Sequence, residues 1–292
     1  MRYIRMMILL LFMLLPLAAI ADEMGGFAVE DAREKQDMGT IRAYFQKGEY
    51  EKVIAYFDKF QRDYPRSPNM PEVKFYLGLS LMRLGDYKES LSVLLTIASA
   101  AEDNPPEQLY EAIGIDYLNL GDYPHAEEWL KKAETTTTDP ANVDSALGNL
   151  YFATNEFDKA EIYFKKAVAL NPELVEAQNN LGLIYMRQKN YEDAKEHFLA
   201  VLKTGKKLET AYFNLGLIAM VEKDYYAASN NFKLLVTISP DLADYHALYG
   251  RALEGQRKYD AALAEAEAAL KIDPKHKGAL ALKQSVTKKL QK

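Results

Sequence analysis

The chain contains no cysteine. Disulfides, a thiol nucleophile and zinc–thiolate sites are therefore excluded. So is the acylated cysteine by which a bacterial lipoprotein is anchored, and no lipid anchor is expected. Tryptophan occurs once, as Trp129, and histidine four times, as His125, His197, His246 and His276. No two histidines have ligand spacing, so no metal site is expected. His197, inside KEHF, reads as an exposed helix residue. Glycine and proline are few, 15 and 11 in 292 residues, which argues against a disordered or turn-rich β chain. G-x-S-x-G, P-loop and Rossmann glycine patterns are missing. Adjacent acids such as Glu127-Glu128 point different ways on a helix and make no acid/base couple. Neither catalysis nor a cofactor is expected. With a net charge of −6, the chain is a poor match for a nucleic-acid backbone.

What the chain does have begins at its N-terminus, MRYIRMMILLLFMLLPLAAIADE. Arg2 and Arg5 precede an apolar stretch, and Ala19-Ile20-Ala21 supplies small residues at −3 and −1. This is the three-part layout of a secretory signal. The apolar run from Met6 to Ala21 is 16 residues, short of the roughly 20 that a spanning helix needs. The expectation is a signal over 1–21 cleaved between Ala21 and Asp22, a linker over 22–33, and a periplasmic or secreted product.

The remainder is periodic. An aromatic follows a small or polar turn at Gly48-Glu-Tyr50, Gly85-Asp-Tyr87 and Gly121-Asp-Tyr123, then at Asn155-Glu-Phe157, Lys189-Asn-Tyr191, Lys223-Asp-Tyr225 and Arg257-Lys-Tyr259. The intervals are 37, 36, 34, 34, 34 and 34 residues. Nine places before the aromatic stands Gly78, Gly114, Gly148, Gly182, Gly216 or Gly250, with Ile41 in the first copy. Seven places after it stands Phe57, Leu94, Leu130, Phe164, Phe198, Phe232 or Ala266. Leu181, Tyr185 and Lys189 share one helix face, and Ala194, Phe198 and Val201 share another. Each unit is thus predicted to be two antiparallel helices of roughly 13 residues, with the small residues where they cross. One such unit cannot bury its apolar face, whereas stacked copies bury a continuous core. Copies are expected at 34–70, 71–106, 107–140, 141–174, 175–208, 209–242 and 243–276. Residues 277–292 are expected to form a capping helix, with Leu280, Leu282, Val286 and Leu290 turned inward.

These residues resemble a known family. Leu147-Gly148-x2-Tyr151…Ala160-x3-Phe164…Pro172 and Leu181-Gly182-x2-Tyr185…Ala194-x3-Phe198 carry the tetratricopeptide repeat signature, and the resemblance spans about 34–276. The wording of the first copy is similar to that of bacterial periplasmic and envelope members. The resemblance implies an all-α, right-handed superhelical solenoid whose first helices line a concave, partner-binding groove. On that register the candidate groove residues are Phe75, Leu79, Met82, Asn149, Phe152, Asn179, Leu183, Met186, Arg187, Phe213, Leu217 and Met220. Apolar, methionine-containing grooves suit amphipathic or extended apolar peptides. The functional expectation is an exported, non-catalytic scaffold or adaptor in envelope assembly that binds another envelope protein or peptide. The alternative is a self-assembling homo-oligomer with an empty groove.

Overall fold

The structure is a computed structural model that describes residues 17–100 and 106–291. Fifteen helices and no strand occur among the described residues, and the fold is an all-α helical-repeat solenoid. The chain divides into two compact units, the first ending at Thr137 and the second beginning at Thr138. The first unit holds α1 (Leu17–Gln46), α2 (Tyr50–Asp63), α3 (Met70–Leu84), α4 (Tyr87–Ala100), α5 (Leu109–Asn119) and α6 (Tyr123–Thr136). The second holds α7 (Pro140–Ala153), α8 (Phe157–Leu170), α9 (Val175–Arg187), α10 (Tyr191–Lys203), α11 (Leu208–Val221), α12 (Tyr225–Ile238), α13 (Ala243–Gly255), α14 (Tyr259–Ile272) and α15 (Lys277–Leu290). Among the described residues, successive helices pair as antiparallel hairpins, and α15 follows the last of them. Residues 22–33, expected as a linker, fall within α1. Of the candidate signal, residues 1–16 lie outside the described residues, and Ala21 and Asp22 fall on the α1 backbone.

Each hairpin closes by the same local chemistry. The residue two before the turn aromatic is left-handed every time: Gly48, Gly85, Gly121, Asn155, Lys189, Lys223 and Arg257, with φ between 61° and 89°. The N–H of the next residue then donates five places back, as Asn190 does to the Tyr185 carbonyl at 2.9 Å and Glu156 to Tyr151 at 2.8 Å. This is the Schellman C-cap. Lys189 therefore ends the first helix rather than continuing the face of Leu181 and Tyr185. In three hairpins the following residue caps the second helix, Asp224 accepting from the Ala227 N–H at 3.0 Å, with longer contacts from Asp122 and Asn190.

The mid-helix glycines are slots for one side chain. A Cβ on Gly78 or Gly114 would lie 2.4 or 2.6 Å from Leu94 or Leu130. On Gly148, Gly182 or Gly216 it would lie 2.4–2.7 Å from the ring of Phe164, Phe198 or Phe232. All five filling side chains are fully buried. The first copy tests the rule by lacking the glycine: Ile41 fills the space and Phe57 is only half-buried, while Phe60 takes the core. The last copy tests it the other way. Its second helix offers only Ala266, and Leu282 of α15 enters the slot of Gly250, 2.5 Å from where a Cβ would stand.

The terminal helix is thus built into the last hairpin. Its buried stripe is Ala279, Leu282 and Val286. Leu280 and Leu290, expected to face inward, are exposed: a stripe at i, i+3 and i+7 leaves Leu280 on the other side, and Leu290 is the last residue of the helix. At the first hairpin, polar bonds do similar work. Asp37 of α1 accepts from Lys59 at 2.7 Å, Tyr56 at 2.6 Å and Tyr64 at 3.1 Å, tying α1 to α2.

Candidate partner-binding face

In the first unit, Phe75, Leu79 and Met82 lie on α3 and are all half-buried. Leu79 and Met82 meet Phe45 from α1 and Ile115 from α5 around a cavity of about 300 Å³, with Arg83, Glu111 and Asn119 at its wall. Phe75 is not part of that lining.

In the second unit the candidates fall on α7, α9 and α11. Asn149, Phe152, Asn179, Leu183, Met186, Phe213, Leu217 and Met220 are half-buried, and Arg187 is exposed. Several are drawn together. Phe152 meets the Phe157 ring edge-on at 5.4 Å, and the Arg187 guanidinium lies 4.2 Å from the same ring. The Asn180 amide donates to Asn149 Oδ1 at 2.7 Å, joining two repeats, while Asn179 Nδ2 reaches Asn180 Oδ1 at 3.4 Å. Asn179 Oδ1 is buried with no donor. Phe213, Leu217 and Met220 pack against the core of Ala219, Phe232, Leu235 and Ala252. These residues serve neighbouring helices with one side and face outward with the other. Met220 also reaches a second cavity of about 430 Å³, walled by Tyr225, Arg251, Glu254, Leu282 and Lys289. There, burial works to raise Glu254, but Lys289 at 2.7 Å and the Ser285 hydroxyl outweigh it and hold the carboxyl below its usual range.

Two residues were misread or missed by sequence reasoning. His197 is half-buried, stacked on Tyr185 at 5.4 Å, with Nδ1 2.6 Å from Gln178 Oε1, and burial lowers its affinity for a proton. It joins the two helices of its hairpin. Asp116 of α5 is fully buried, and neither carboxyl oxygen has a hydrogen-bond partner. Burial pushes it up to about 7 against a weaker opposing pull from the Ser90 hydroxyl. The register held the signal: two places after the repeat glycine, the sister copies carry Ser80, Leu150, Ile184, Ile218 and Ala252, none of them charged. Among the described residues, no group of acids and histidines could hold a metal ion, and no helix is long and apolar enough to cross a membrane.

Stacked helical hairpins, each first helix crossing its second at a small residue, define a helical-repeat protein. Two models described as tetratricopeptide repeat match it, one over 145–209 and the other over 209–242 and 243–276. The chain belongs to the tetratricopeptide repeat family. A further model, YfiO, described as outer membrane lipoprotein, matches residues 21–90. No curated protein matches the chain. Among solved structures it is similar to a chain of an APC/C hetero-tetramer, at 16% identity and a TM-score of 0.63, over 84% of this chain but 48% of that one. This chain thus spans about half the length of that relative. It is also similar to a tetratricopeptide repeat protein from Parabacteroides merdae, at 16% identity and TM-score 0.56, covering 87% and 98% of the two chains. A third similar structure is that of PilW, a type IV pilus biogenesis factor, at 19% identity and TM-score 0.61, covering 74% and 99%. At these identities the likeness is one of fold.

Proposed function

We propose that the protein is an exported, non-catalytic interaction scaffold of the cell envelope that holds an extended or amphipathic segment of a partner protein against its first-helix faces. The observation that carries this reading is the second-unit stripe at Asn179. Its amide oxygen is buried without a donor on the helix that carries half-buried Leu183 and exposed Arg187. Half-buried Leu183 and Leu217, at equivalent places on two first helices, give an apolar partner segment surface to cover. The match of residues 21–90 to a family described as outer membrane lipoprotein supports an envelope setting, as does the signal-like composition of residues 1–21. The chain has no cysteine to acylate, so the proposed product is soluble in the periplasm or secreted.

The test is capture from envelope extract. Leu183→Arg/Leu217→Arg should reduce partner recovery at least about tenfold, since two lost apolar contacts exceed 1.4 kcal/mol. Ile162→Arg/Leu199→Arg, at exposed sites on the second helices, should leave it unchanged. Equal recovery by both variants would remove the first-helix face from the function. Self-assembly is the second reading, favoured by Leu280 and Leu290 left uncovered on the last helix. Light scattering over a concentration series separates it: a mass that stays monomeric excludes it.

A further inference from the structure

Three side chains in the first unit's interior are polar and fully buried: Ser80 on α3, Ser90 on α4 and Asp116 on α5. Their hydrogen-bond economy is one-sided. Ser80 Oγ donates to the Tyr76 carbonyl at 2.7 Å and Ser90 Oγ to the Gly78 carbonyl at 2.8 Å. Both hydroxyl protons are thereby committed, and what the serines still offer is acceptor capacity. A neutral carboxyl, which carries its own proton, can live beside such groups. An ionised one needs donors, and both Asp116 oxygens lack any. The helices packed against α5 are α3, α4 and α6. From α4 the group that acts on Asp116 is the Ser90 hydroxyl, and among the described residues no charged side chain does. Ionisation would set Asp116 and the Gly78 carbonyl in competition for the single Ser90 proton. It would do so at a place where the other repeats carry an uncharged residue: Ser80, Leu150, Ile184, Ile218 or Ala252.

We propose that α5 is a proton-controlled element of the first unit: it stays docked while Asp116 is neutral and loosens when the buried carboxyl ionises. The consequence reaches the outward face, because Ala112, Ile115 and Asn119 on the same helix wall the 300 Å³ cavity. The native carboxyl at about 7 against 3.8 in the open chain gives the sign. Between those values the docked state holds the extra proton, so docking weakens as pH rises and is weakest above about 7.

Hydrogen exchange of the full-length mature chain between pH 4.5 and 8, corrected for intrinsic rates, tests this. Opening of residues 109–119 should increase with pH, by up to about tenfold per unit below 7, while residues 243–272 serve as an internal reference. Asp116→Leu, the residue of the sister repeat, and Asp116→Asn should both remove the slope at 109–119. A slope at 109–119 that matches the reference, or that persists in both variants, overturns the proposal. Should the variants fail to fold, carboxyl-carbon NMR of the wild-type chain decides alone. A titration midpoint for Asp116 near 6–7 supports the proposal, and one near 4 overturns it.

Discussion

Gly182 and Gly39 are both helical glycines, and the structure gives them opposite roles. A Cβ on Gly39 would meet nothing within 4 Å, whereas one on Gly182 would lie 2.7 Å from the Phe198 ring. Gly39→Ala should therefore stabilise by about 0.5–1 kcal/mol through reduced chain entropy. Gly182→Ala should destabilise by about 1–3 kcal/mol, because overpacking exceeds the gain in helix propensity. Urea melts of the two variants check the pair, and a Gly182→Ala that melts like wild type would remove the slot argument. The left-handed turn residues obey a related rule. Lys189 and Lys223 adopt φ of 62° and 61° with a side chain attached, which costs about 1–2 kcal/mol apiece. Lys189→Gly and Lys223→Gly should each raise stability by a fraction of that, visible as a higher urea midpoint at unchanged slope. Charge follows position as well. Burial works to raise Asp37, but Lys59, Tyr56 and Tyr64 outweigh it and keep it below the usual carboxylate value. Its contribution is complete above pH 3.8 and lost as pH falls through its native value. Asp116 has the opposite sign in the same unit.

At the scale of the element, the terminal helix separates what was legible in the sequence from what was not. That 277–292 would form a capping helix follows from its apolar spacing and its place after the seventh copy. Which leucines it buries does not, since Leu280 and Leu282 stand about half a turn apart and only the partner surface sets the phase. That surface is the Gly250 slot, left open by Ala266. Leu282→Ala should therefore cost about 2–5 kcal/mol, the range for a fully buried leucine. Leu280→Ala and Leu290→Ala should stay within about 0.5 kcal/mol, as exposed sites do. Thermal melts of the three variants give the order, and equal losses would contradict the placement of α15. The same limit explains the site. The Gly–Phe register, the turns and the face carrying Leu183 and Leu217 could be read from columns of the repeat. How much of Leu217 or Met220 faces outward could not, because a first helix packs on two neighbours whose separation the period does not encode. Asp116 was legible in the same columns, as an acid where its sister copies have no charged residue, but a search for paired chemical groups passes over a lone acid.

For the whole molecule, what matters is how far a local change travels. Within each unit, the helices of the described residues contact chiefly those next to them in sequence or one further along. Stability is then close to a sum of repeat and neighbour terms. A loss at one end should relax over a hairpin or two, and chains of this kind open in local units rather than all at once. Leu282→Ala supplies the perturbation, since it removes the side chain that completes the last slot. Its excess hydrogen exchange should be greatest in α13, α14 and α15, smaller in α11 and α12, and absent from α2 to α6 of the first unit. The converse change, Gly78→Val, forces a branched side chain against Leu94, where a single Cβ would already stand 2.4 Å away. It should raise exchange in α3 and α4 and leave α13 to α15 as they are. Uniform acceleration along the chain in either variant would show one cooperative body and refute neighbour-limited coupling. Under neighbour-limited coupling, a proton on Asp116 reaches the α5 wall of the first-unit cavity and leaves the Asn179 stripe of the second unit untouched.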